Sequence, residues 1–225
     1  MTGFKQKKIL VINANSSCSV TKGLKDELSA PTKLFNVSIE YTQIDGAPKA
    51  IETTEDVELS HKLTIAFVKK AKADAFVIAC FGDPGIIELR DQGYQNVFGI
   101  GESAMHMAAN MGGKFGILSI SNLSIKRHEE QVARAGLSSM LAGDLPIGLG
   151  VLELKIIEKT RPRMEKMARC LKEHYGAKSI ILGCAGMGLH RAWLQDLLNI
   201  PVIEPCWAGV TMAVASLGTS DSIDA

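Results

Sequence analysis

The chain of 225 residues is long enough to bury a sizeable core, and 46% hydrophobic with 22% charged residues is a globular composition, not a disordered or fibrous one. Its 25 Lys and Arg against 24 Asp and Glu give a net charge of +1, and no basic block exceeds Lys7-Lys8 or Lys69-Lys70, so no nucleic-acid partner is expected. Five cysteines, an odd number with no C-x-x-C pair, argue against a disulfide framework or a zinc site; each thiol is either core filler or chemistry.

The first segment, "MTGFKQKKILVINANSS", holds only four consecutive apolar residues before Asn13, far short of a signal-peptide core, and a cytoplasmic location is expected. Lys8 to Asn13 reads as a strand running into the loop Asn13-Ala14-Asn15-Ser16-Ser17. Leu59, Leu63, Ala66, Phe67 and Ala71 recur at helical spacing and lead into Ala75 to Cys80, a buried strand. In the turn that follows, Asp83 reads as a helix N-cap and Pro84 as the first helical residue. "NVFGIG" from Asn96 is strand-like, and in "GESAMH" Glu102 and His106 share a helix face, either supporting a site or placing a carboxylate at the helix start. The second half repeats the theme. Phe115 to Leu118 is strand-like, Met164, Met167, Ala168, Leu171 and Tyr175 mark an amphipathic helix, and Ser179 to Cys184 is a second buried strand, with "IPVIEP" from Ile200 beyond it. The weakly polar run from Cys206 to Leu217 falls below the ~20 apolar residues of a membrane span, so no membrane partner is expected.

Strands alternating with helices imply α/β architecture with parallel sheets. Cys80 and Cys184 lie 104 positions apart, Asn13 and Ser119 106, and Asn96 and Ile200 104, which points to an internal duplication. Two similar lobes would then face each other about a pseudo-twofold axis, and open parallel sheets bind ligands at the carboxyl ends of their strands. Both cysteines lie at such ends, on opposite walls of one cleft that the Asn13 and Ser119 loops complete. A single cysteine ending a buried strand is ordinarily a small hydrophobe. Two at matching places in a repeat point to chemistry.

The chemistry suited to facing thiols is inversion at an acidic C–H carbon: one thiolate removes the proton and the opposite thiol delivers one to the other face, with no cofactor required. Helix starts after each cysteine are expected to favour the thiolate and, through backbone N–H groups, an enolate. Asn13, Asn15 and Ser119 would hold the polar edges of a small-molecule substrate, with Gly82, Asp83, Ala185 and Gly186 in the two cysteine loops. Asp83 is the only charge in these loops, which favours a neutral or weakly acidic substrate. A different class of reading is a noncatalytic ligand-binding or redox-sensing protein in which Cys80 and Cys184 form a reversible disulfide. Two thiols without further ligands make a poor metal site. Cys18, Cys170 and Cys206 read as packing thiols, Met105, Met107 and Met111 as helix packing, and His190 as an exposed residue of the next helix.

The segments "KILVINANSS", "ACFGDPG", "GIGESAMHMA" and "LGCAGM" resemble the signatures of hydantoin racemases, within the broader aspartate/glutamate racemase superfamily, in order from about Lys8 to Val210. The resemblance implies a cofactor-independent two-cysteine racemase acting on a 5-substituted hydantoin or a ureide such as allantoin, and a homo-oligomer. It implies a first lobe of residues 1–98 plus 206–225 and a second of 99–205, with the active site between them. Cys80 and Cys184 match the paired acid/base cysteines, Asn13 and Asn15 the first-loop asparagines, and Ser119 the hydroxyl residue that closes the strand opening the second lobe. Ala14 stands where proline is usual, Ile120 where a second hydroxyl is frequent, and "PVIEPCWAGV" where "PVIDGV" is more usual, so substrate identity stays open. Phe81 and Gly82 after the first cysteine differ from the small polar residue and Thr of aspartate and glutamate racemases. That favours a ring amide, with an aspartate- or glutamate-type racemase as the alternative.

Overall fold

Ile9 to Ile12 are buried on both faces of the first strand, which therefore needs a neighbour on either side. The structure, a computed structural model, describes residues 6–32 and 35–220, so the outermost residues of the expected first lobe, 1–5 and 221–225, lie outside the described residues, as do 33–34. β1 (Lys8–Asn13) pairs in parallel with β2 (Ser38–Gln43) and β3 (Ala75–Ile78), and β4 (Val97–Gly99) adds beyond β3, giving the order β2-β1-β3-β4. The crossovers that parallel pairing demands are α1 (Cys18–Thr32), α2 (Thr54–Val68) and α3 (Ile86–Asp91).

The second sheet repeats the first. β5 (Phe115–Ser119) lies between β6 (Leu141–Pro146) and β7 (Ser179–Leu182), with β8 (Val202–Ile203) outside β7, in the order β6-β5-β7-β8. α5 (Asn122–Arg134), α6 (Ile157–Glu173) and α7 (Arg191–Leu198) connect its strands. Both sheets are wholly parallel and wound in the same sequence of positions, so two similar α/β lobes replace one continuous sheet, as the 104-residue spacing predicted.

Two helices join the lobes. α4 (Ile100–Asn110) follows β4 directly and packs against β5, β7 and β8 of the second sheet, while α8 (Pro205–Ser220) follows β8 and packs against β1, β3 and β4 of the first. They also pack on each other through Ile100, Ala104, Met105 and Ala108 on one side and Cys206, Ala208, Val210, Ala213 and Leu217 on the other, all buried. The close approach has a steric basis: a Cβ on Gly209 would stand 3.0 Å from Val77 and 3.1 Å from Ile100.

Two helices differ from their expected faces. α2 opens with a capping box between Thr53 and Asp56 and buries Ser60, Thr64 and Val68, whereas Leu59 is exposed and Ala71 lies past the helix end. The Ser60 hydroxyl donates to the Ala14 carbonyl, and a polar side chain satisfied in this way can be buried. α6 buries Met164, Ala168 and Leu171 as expected, but Tyr175 falls beyond Glu173 and is exposed. Of the methionines, Met105 is buried, Met107 half-buried and Met111 exposed at the end of α4. No helix among the described residues is long and apolar enough to cross a membrane.

The lobe junction leaves no room for a side chain at Gly101, where an added Cβ would stand 2.1 Å from the Phe81 carbonyl oxygen. Gly101→Ala is expected to lower stability by about 3 kcal/mol. Gly23→Ala, inside α1 with only Glu27 near at 3.8 Å, is expected to be neutral or stabilising by up to about 1 kcal/mol. Urea unfolding with unchanged m-values measures both.

Candidate active site

β3 and β7 occupy equivalent places in their sheets, and each ends two residues before a cysteine, Cys80 after Ile78 and Cys184 after Leu182. Both cysteines line one cleft of about 210 Å³. Of the residues expected at the site, Asn15, Gly82, Ala185 and Gly186 also line it, whereas Asn13, Asp83 and Ser119 stand behind its walls. The two sulfurs have matching neighbours: the Gly82 N–H pulls the Cys80 thiol down and the Gly186 N–H does the same for Cys184.

Burial nonetheless decides the state of both thiols. It pushes Cys80 up to about 12, against the Gly82 N–H, with further upward pressure from Cys184 and Asp83 and a downward pull from Arg127. It pushes Cys184 up to about 11, against the Gly186 N–H, and Glu52 and Glu27 add to the rise. The expectation that helix starts favour the thiolates is therefore corrected. α3 begins only at Ile86 after the left-handed Gly85, and Cys184 precedes no more than the short 3-10 turn Ala185–His190, so each sulfur receives a single N–H.

Asn13 is spent inside its own loop. Its Nδ2 donates to Asn15 Oδ1 at 2.8 Å, Thr21 Oγ1 at 3.1 Å and the Ser17 carbonyl at 3.2 Å, and its Oδ1 accepts the Asn15 N–H. The Asn15 Oδ1 also accepts the Ser17 N–H, which leaves Asn15 Nδ2 without a protein acceptor among the described residues and free to meet a ligand.

Asp83 is neither an N-cap of α3 nor a cleft residue. It sits at φ 49 with its carboxyl buried against the start of α4, accepting the Gly101 N–H at 2.8 Å, the Glu102 N–H at 2.7 Å and the Gln131 side-chain N–H. Burial pushes this carboxyl up to about 8, against those donors. Glu102 pairs with Arg90, not with His106. Ser119 donates to Asp144 and lies 3.0 Å from His128 Nδ1.

Sequence reasoning missed the α5 wall. Arg127, His128, Glu130, Gln131 and Arg134 line the cleft, so its charge does not come from Asp83, and the expectation of a cleft with few charges is corrected. The signal was present as polar residues at i, i+3 and i+7, but such a stripe ordinarily faces water. Also missed was a pair of carboxyls near Cys184, Glu204 buried and Glu27 half-buried. Glu204 accepts the N–H groups of Cys206, at 2.9 Å, and Trp207 at the start of α8, while burial and then Glu204 push Glu27 up to about 7. Burial raises Glu204 as well.

Other expectations divide. Cys206 is buried in the core and Cys170 half-buried, but Cys18 is exposed at the start of α1 and is no packing thiol. His190 is fully buried, because its Nε2 pairs with the Leu154 carbonyl at 2.8 Å and its ring meets Trp193 edge-on.

Two parallel α/β lobes with a cysteine at matching strand ends define a class, the two-lobed racemase fold. Among solved structures the chain is similar to an allantoin racemase from Klebsiella pneumoniae, with a TM-score of 0.86 and 27% identity over 96% of this chain and 89% of the other. It shares the fold of an allantoin racemase from Pseudomonas fluorescens, with a TM-score of 0.87 at 22% identity over 95% and 92%. In sequence it is 34% identical to a hydantoin racemase of Paenarthrobacter aurescens over 92% of this chain and 89% of that protein. Residues 9–213 match the model of the Asp/Glu/Hydantoin racemase family, and the chain belongs to that family. It is an isomerase of the racemase type, which sets aside the reading as a noncatalytic redox switch.

The raised thiols predict the order of labelling. At pH 7 iodoacetamide should modify exposed Cys18 well before Cys80 or Cys184, and labelling of the cleft pair should keep rising beyond pH 9, because a raised pKa leaves little thiolate below it. Peptide mapping across pH checks this. Cleft cysteines that label fully at pH 7 contradict it.

Proposed function

We propose that the chain is a cofactor-independent racemase that inverts C5 of a 5-substituted hydantoin or a related ureide such as allantoin, with Cys80 and Cys184 as the acid/base pair. The observation that carries this is the placement of two cysteines from equivalent strand ends on one cleft, each with an N–H from the glycine two residues on. The named activities of the hydantoin racemase and allantoin racemase relatives support the substrate class.

In this scheme one cysteine, as thiolate, takes the C5 proton. The electron pair left on carbon moves into the adjoining carbonyl as an enolate, and the opposite thiol returns a proton to the other face. The first cysteine ends as thiol and the second as thiolate, so solvent exchange or the reverse reaction resets the pair. Asn15 Nδ2 and the backbone N–H groups of the two cysteine loops hold the carbonyl oxygen where negative charge develops. Asn13 acts through Asn15, and Asp83 through the Cys80 loop that it anchors. The lobes, residues 1–98 with 206–225 and residues 99–205, form the two walls. A cytoplasmic location, where free thiols persist, fits the unpaired cysteines, and a homo-oligomer is the assembly we propose with it.

Arg127 favours a second reading. It lines the cleft without an ion pair among the described residues, and a guanidinium there suits a carboxylate, as in an aspartate- or glutamate-type racemase.

Proton NMR in deuterated water separates the two. The expected result is exchange at C5 of D- and L-hydantoins, with none at the α-carbon of aspartate or glutamate. Cys80→Ser and Cys184→Ser should each lose racemisation by about 10²- to 10⁴-fold while treating the enantiomers unequally. Exchange confined to the amino acids supports the second reading. Full racemisation by either variant overturns the cysteine pair.

A further inference from the structure

One buried group on the cleft is unused by a two-cysteine scheme. His128, on α5, is 4% exposed and lines the cleft with Cys80, Phe81 and Cys184. Its Nδ1 faces away from the cleft, 2.8 Å from Asp144 Oδ2 within β6 and 3.0 Å from Ser119 Oγ at the end of β5. The Phe81 ring meets the imidazole edge-on, with centroids 4.8 Å apart, and fixes its plane.

A proton count assigns the tautomer. The Ser119 hydroxyl has one hydrogen and donates it to Asp144 Oδ1. It has none left for His128 Nδ1, and an ionised carboxylate has none either. Both contacts to Nδ1 are therefore satisfied only when Nδ1 carries the hydrogen and donates. That leaves Nε2, on the other edge of the ring, as the group offered to a ligand. Nε2 has no hydrogen-bond partner among the described residues, and in the neutral ring it is an acceptor. Three residues that are each nine-tenths or more buried thus hold one lone pair on the cleft wall.

We propose that His128 contacts the substrate, its Nε2 accepting the N–H of the ring nitrogen next to the inverted carbon, and that Asp144 and Ser119 are positioning residues that hold the imidazole for this. The inference rests on the hydantoin-type reading of the cleft and deepens it: the site selects cyclic ureides and secondary amides that present an N–H beside the stereocentre, against their N-alkylated forms. It also gives Ser119 a role different from direct substrate binding.

The probes are 5-benzylhydantoin and its N1-methyl derivative, assayed with wild type and with His128→Phe and His128→Gln. Wild type should lose about 10- to 100-fold in kcat/KM on N1-methylation. His128→Phe should lose a similar factor on the parent compound and show little further loss on methylation. His128→Gln, whose side-chain oxygen restores an acceptor, should recover part of the activity and of the methylation penalty. Unchanged kcat/KM in His128→Phe, or a methylation penalty that survives in it, overturns the proposal.

Should His128→Phe fail to fold, ¹⁵N NMR of the wild-type imidazole takes its place. The expected signature is a protonated Nδ1 and a bare Nε2 whose resonance moves when 5-benzylhydantoin binds, with the tautomer preference lost in Asp144→Asn. A wild type that exchanges the C5 proton normally while Nε2 stays unmoved overturns this inference alone. A wild type with no C5 exchange overturns the hydantoin reading, and this inference with it.

Discussion

The buried carboxyl of Asp83 is the constraint on which the cleft depends. It stands in the loop that carries Cys80, yet its hydrogen bonds go to the second and third amides of α4, which the helix leaves unpaired, and to Gln131 on α5 of the other half. Gln131 also donates to the Phe81 carbonyl at 3.1 Å, so the residue after the cysteine is held from across the junction. Room for this comes from glycine. A Cβ on Gly99 would stand 2.2 Å from the Asp83 carboxyl carbon, and "FGDPG", "GIG" and Gln131 operate as one clamp. Glu204 performs the corresponding task at the start of α8, next to Cys206. Each joining helix therefore begins on a buried acid, and the Cys80 loop is fixed relative to helices that pack on each other.

Much of this was legible in the sequence, for identifiable reasons. β1, β3, β5 and β7 are buried on both faces, so they read as unbroken apolar runs, and the duplicated spacing follows from identical sheet orders. The cysteines were visible because they end such runs. The assignments that failed concern side chains whose partners lie far off in the chain. Asp83 looked like a local N-cap, but its partner Gln131 is 48 residues away. Ser119 looked like a cleft hydroxyl, but Asp144, 25 residues on, accepts its hydrogen bond. The α5 wall was hidden because a polar stripe on a helix reads the same whether it faces bulk water or an active-site cleft. His190 was misread because one backbone carbonyl, that of Leu154, suffices to bury an imidazole.

The electrostatics of the cleft are less symmetric than its geometry. Arg127 lies on the Cys80 side and Glu52 and Glu27 on the Cys184 side; burial outweighs the pull of Arg127 and is reinforced by the two carboxyls, which leaves both sulfurs protonated at neutral pH. A racemase of this design needs one thiolate and one thiol, so in the proposed scheme the base is formed at the expense of a minor ionised population. The same burial makes that thiolate strongly basic, which suits removal of a weakly acidic C–H. In the proposed scheme substrate selection falls to Asn15, Arg127 and His128 around the pair, because the sulfurs themselves would distinguish only the two faces of the carbon.

The most direct test of the central claim, that two cysteines act from opposite faces, is the fate of the transferred proton. A single enantiomer of 5-benzylhydantoin is converted in deuterated water, and the isotope at C5 is read separately in product and unconverted substrate after chiral separation. Two opposed thiols predict product that carries deuterium from the first turnovers while remaining substrate keeps its protium. Product that retains the substrate's own protium would mean that one group both removes and returns the proton, and the account of the paired cysteines would be wrong.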